Sequence, residues 1–118
     1  MLHRMQCDIL QTRGQQIQTL LAEMQDEGEL FASPATLQSV EAQLLVMAQT
    51  LEHLAPQLRE RLTHLDWHSW QHLQHLLIHD LQLRREPVWY AVRALVPATL
   101  ELLAQLRRQH PVWFELGY

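Results

Sequence analysis

Glycine and proline are scarce in this chain of 118 residues, with three and five copies. So few punctuators leave little room for turns, and no Gly-rich phosphate loop or Walker sequence is present. Cysteine occurs once, at Cys7. That excludes an intrachain disulfide and a paired-cysteine zinc site, and it suits a reducing compartment. No apolar run approaches the ~20 residues needed to cross a bilayer. The opening Met1-Leu2-His3-Arg4 leads into polar residues rather than the apolar core of a signal peptide, so the expectation is a cytoplasmic protein. No segment alternates like a strand, no internal repeat is evident, and no Ser-His-Asp chain order occurs. Asp66, Asp80 and Glu86 do not form a convincing carboxylate pair for acid–base work.

What is there favours helix. Leu, Gln, Ala, Glu and Arg dominate, and the hydrophobic fraction of 47% is ordinary for a folded chain. The length fits one domain, residues 1–118, with a single core. Formal net charge is −4, and it would become +4 with all eight histidines protonated. At neutral pH no strong polyanion binder is indicated, although arginines Arg84, Arg85, Arg93, Arg107 and Arg108 allow a local basic patch.

Periodic apolar positions place the elements. Ile9, Leu10, Ile17, Leu20, Leu21 and Met24 predict a first helix over 2–27, with Gly28 as its stop and Gly14 as a place where another helix can approach. Ser33-Pro34 predicts a second start, the serine capping through its hydroxyl, and the helix runs to about Leu54 before Pro56. A short helix over 56–62 follows. Asp66 caps a third major helix through about Leu83, with Leu76 and Leu77 buried. Glu86-Pro87 opens the last helix, to about Gln109, bent or split by Pro97. Trp89 is expected in the core, and the aromatic tail beyond Pro111 folds back or anchors a partner. The expected fold is all-α: an antiparallel helical bundle of four main helices plus a short helix.

His64, His68, His72, His75 and His79 step by four, four, three and four. On a helix those steps make one stripe. One reading is metal binding, since histidines at i and i+4, such as His68/His72 or His75/His79, can share an ion. A second is an interface or wet cleft without chemistry. Arg84 and Arg85 follow the stripe; they can bind phosphates of RNA or nucleotide, or simply balance a helix C-terminus.

A third reading comes from the surroundings of the stripe. The long helix, the piece Leu58-Arg59-Glu60-Arg61-Leu62, the Asp66-Trp67 start, Val88-Trp89 and Leu95-Val96-Pro97 follow one another in an order that resembles the HEPN superfamily. The likeness is to HepT-like proteins, which pair with a minimal nucleotidyltransferase in bacterial toxin–antitoxin modules. The family motif is Arg, four variable residues, His, any residue, Tyr. His79 stands at the motif histidine, Gln74 at the arginine, His75 at the frequent asparagine and Leu81 at the tyrosine. The resemblance implies a homodimer whose cleft brings motif residues of two subunits together. In active members histidine moves the 2′-hydroxyl proton and arginine holds the phosphate, without metal. Gln74 carries no charge, and Leu81 has no hydroxyl to accept the AMP groups that silence such toxins. The expectation is therefore a degenerate HepT-like protein that binds a nucleotidyltransferase partner, and nucleotide or RNA in its cleft, without cofactor. The competing expectations are a ribonuclease with a shifted site, using His79 with His75 and a nearby arginine such as Arg84 or Arg85, and a metal-binding histidine stripe.

Overall fold

Helix α1 spans Leu2–Leu21 in the computed structural model, which describes residues 2–79 and 85–111. Cys7, Leu10, Gly14 and Ile17 recur every three or four residues and form its buried ridge. The helix stops earlier than the apolar spacing predicts. Asp26 takes an extended backbone (φ −147°, ψ 172°), and its carboxylate accepts the Glu29 N–H at 3.0 Å. A new short helix α2, Glu27–Phe31, starts there, so Gly28 lies inside a helix rather than ending one. Met24 still packs against the core from the intervening turn, which is why its spacing reads as helical.

Helix α3 spans Pro34–Glu52 and buries Val40, Leu44, Met47, Ala48 and Leu51. Pro34 occupies its first turn as expected, but the Ser33 hydroxyl does not cap it. That hydroxyl donates backwards to the Glu29 carbonyl at 2.9 Å, tying α2 to α3. Helices α1 and α3 pack antiparallel. Arg13 donates to Gln43 at 3.0 Å midway along them. Near the start of α1, the amide of buried Gln6 donates to the His53 carbonyl at 2.8 Å and accepts the Ala55 N–H at 2.9 Å. A buried amide with both ends satisfied costs little and fixes the register of the pair.

The short helix α4, Pro56–Arg61, sets Leu58 fully into the core. It is clamped to the next element: the Trp67 indole donates to the Leu62 carbonyl at 3.0 Å, and the Arg59 guanidinium lies 4.5 Å over the Trp67 ring. Helix α5 then spans Trp67–Ile78. The expected extension through Leu83 falls on residues 80–83, outside the described residues.

Helix α6, Arg85–Tyr90, runs through a wide π-helical turn, Ala91–Leu95, into α7, Val96–Gln109. Pro97 explains the turn. It has no N–H to give, and its ring would collide with the Arg93 carbonyl in a regular helix. The chain widens instead, and the Val96 N–H reaches five residues back to the Ala91 carbonyl. Leu100 of α7 rests on Gly14 of α1, and Arg107 pairs with Asp8, so α7 is antiparallel to α1. Trp89 is half-buried rather than enclosed, with Arg93 over its ring at 5.5 Å.

Packing links α1 to α3 and α7, α3 to α5, and α5 to the π-helical turn. One cluster of buried side chains joins all of them. Among the described residues there is no strand, and no helix is long and apolar enough to cross a membrane. The aromatic tail over 112–118 lies outside the described residues.

Candidate functional site

Helix α5 owes its start to Asp66. One carboxylate oxygen accepts the Ser69 N–H at 3.1 Å and the other accepts the Ser69 hydroxyl at 2.7 Å. The first bond satisfies an orphan N–H of the helix terminus, and the second holds the carboxylate in place to accept it. Trp70, Leu73 and Leu76 then form the buried ridge, with Trp67 and Leu77 packed partly against the core. Burying three side chains of that size contributes roughly 1.5–3 kcal/mol each relative to exposure. The Trp70 indole is also satisfied: it donates to the buried Thr99 hydroxyl of α7 at 3.1 Å. These contacts decide how α5 is rotated, and hence which residues it shows to solvent.

The opposite ridge carries the histidines. His68, His72, His75 and His79 are all exposed, and His64 sits exposed in the turn before α5. His79 is the C-cap residue, at φ −90° and ψ 5°, and its N–H still donates to the His75 carbonyl at 3.2 Å. The rings of His75 and His79 meet with centroids 4.6 Å apart and planes tilted by 58°. Among the described residues, no group of three or more His, Cys, Asp or Glu side chains is placed to hold a metal ion.

Gln74 does not lie open beside these rings. Its amide donates to a Glu52 carboxylate oxygen at 2.6 Å, joining α5 to the last turn of α3. The bond links residues 22 positions apart, and no local pattern signals it. Arg85 is engaged elsewhere as well. Its guanidinium pairs with Glu27 at 2.7 Å and lies 4.8 Å over the Phe31 ring, which turns it towards α2. Arg84 and Leu81 lie outside the described residues.

A groove of about 270 Å³ opens beside the histidine ridge. Ser69, His72 and Leu73 form one wall; Glu86, Pro87, Tyr90 and Leu95 form the other. His72 therefore belongs both to the stripe and to the groove. Glu86 and Tyr90 lie far from His72 in the sequence; the return of the chain after α5 brings them opposite it.

The chemistry available on this face is that of imidazole: one donor and one acceptor per neutral ring, with no fixed cation at the Gln74 position. Cys7 offers no nucleophile. Burial pushes its thiol from 9.0 to about 11, against a smaller lowering by Arg107, so it stays protonated and enclosed at neutral pH. Comparison with protein families, with curated proteins and with solved structures found no match.

Proposed function

We propose that this chain is a HepT-like HEPN protein with a degenerate motif, forming a homodimer. It acts by binding a minimal nucleotidyltransferase partner, with nucleotide or RNA held in the cleft between subunits. In this reading the long helices are the antiparallel four-helix bundle of that family, and His79 is its motif histidine. The reading draws support from the order of elements: a long α3, the short α4, and a helix opening on Asp66-Trp67 that ends with His79 exposed.

One observation favours binding over cleavage. The motif arginine's place is taken by Gln74, whose amide is held by Glu52. A neutral amide committed to a carboxylate supplies no positive charge for a phosphate in a transition state. The ring contact between His75 and His79 favours the second reading, a metal-independent ribonuclease in which a protonated His75 replaces the missing cation beside His79.

The test is expression of the wild-type chain and His79→Ala in bacteria, alone and with a minimal nucleotidyltransferase. Total RNA and co-purification are the readouts. The binding reading expects intact RNA in both strains and a stable complex. RNA cleavage that disappears in His79→Ala and persists in chelator would replace it with the ribonuclease. Absence of a complex with such partners would remove the binding reading.

A further inference from the structure

His75 and His79 are set up as a pair by helical register and ring placement together. The backbone keeps helical register through the cap, because the His79 N–H donates to the His75 carbonyl. Both side chains therefore leave the same ridge one turn apart. The rings themselves stand 4.6 Å apart, centroid to centroid, and tilted rather than stacked.

That separation is the one a chelate needs. With nitrogen–metal bonds of ~2.0–2.1 Å and an angle between square and tetrahedral at the ion, two imidazoles bring their centroids to roughly 4.5–5.2 Å. The observed distance lies in this range without backbone movement, and both residues are exposed, so ring rotation disturbs no packing.

We propose that His75 and His79 form a two-imidazole site for a divalent transition ion of the zinc type, with water in the remaining positions. Imidazole nitrogen selects such ions over magnesium and calcium. No third protein group joins the pair among the described residues, so the site is open and exchangeable rather than structural. A bound ion occupies the lone pair of His79 and prevents that ring from accepting a proton. Acid weakens the site, because protons compete for the same nitrogens. The proposal does not rest on the HEPN reading: one is tested by zinc, the other by RNA and complex formation.

The experiment titrates Zn2+ alone into the full chain at neutral pH, following imidazole resonances by NMR and heat by calorimetry. His75 and His79 should shift together and saturate at one ion per chain. His75→Ala or His79→Ala should each weaken binding at least about tenfold, since the second imidazole is delivered at high effective concentration. The double variant His68→Ala/His72→Ala should bind as the parent does. Circular dichroism confirms that each variant remains helical. No response in the wild type, a response carried by His68 and His72, or unchanged affinity in His75→Ala and His79→Ala would each overturn the proposal.

Discussion

Cys7 shows what burial does to a single side chain. It is fully enclosed, and its thiol holds its proton up to about pH 11 where an unfolded chain releases it near 9.0. The folded state thus keeps a proton that the unfolded state gives up. The stabilisation this brings is complete below pH 9 and is lost as pH rises towards 11, by roughly 2–3 kcal/mol in all. Thermal unfolding of wild type and Cys7→Ala across that window should show the extra downward slope in the wild type alone. Thiol reagents should label the chain quickly in denaturant and slowly without it. At the same scale, Trp70 and Thr99 share one buried hydrogen bond. Trp70→Phe strands the threonine hydroxyl and should cost roughly 1–3 kcal/mol, part of which returns in Trp70→Phe/Thr99→Val. Denaturant melts of the cycle check it. Cysteine is among the residue types most often enclosed, but the Trp70–Thr99 pair leaves no local signal, because its members are 29 residues apart.

Elements are stitched by contacts of uneven legibility. Gly14 signalled a close approach, and the structure supplies the partner: a Cβ there would lie 2.7 Å from one Leu100 methyl and 3.1 Å from its Cγ. Two effects oppose each other in Gly14→Ala. Helix propensity gains about 1 kcal/mol, while overpacking costs roughly 1–3 kcal/mol. The expected net is a loss of about 1 kcal/mol, turning into a gain of up to about 1 kcal/mol when Leu100→Ala has cleared the space. Urea titrations of the four chains decide it. Asp66 was equally readable, since an acidic residue before a helical period is a local signal; Asp66→Ala should cost about 1 kcal/mol. The end of α1 was not readable. Ala22 to Gln25 favour helix, and Met24 keeps the apolar spacing. The helix gives way after Leu21 to three-residue turns, the Ala22 N–H bonding the Thr19 carbonyl at 3.3 Å and the Met24 N–H the Leu21 carbonyl at 3.0 Å, and Asp26 then starts α2 through its bond to Glu29. Local rules see propensity; they do not see which of two adjacent helix starts the tertiary packing rewards.

At the scale of the whole molecule, the histidine ridge is a reservoir of charge on one side of the fold. The chain passes from −4 to +4 when all eight histidines are protonated, around a sequence pI of about 6.0. Replacing His68, His72, His75 and His79 by glutamine lowers that acidic limit from +4 to zero. Capillary electrophoresis should therefore find the wild type reversing direction in mild acid and the variant reaching neutrality without reversal until carboxylates titrate. The stripe itself was legible as spacing; the partners of its helix were not, because Glu52, Glu86 and Tyr90 reach α5 only through the folded path of the chain. The wide turn at Ala91–Leu95 has a larger meaning in this light. A π-helical turn carries a surplus residue, and each residue of a regular helix advances the chain by about 100°. Removing Ala94 together with Pro97→Ala, which lifts the clash that holds the turn open, would return the stretch to ordinary winding only by swinging Pro87 and Tyr90 through that angle relative to Thr99 and Leu103. The groove beside the histidines is, in that sense, a phase difference between two lengths of one helix.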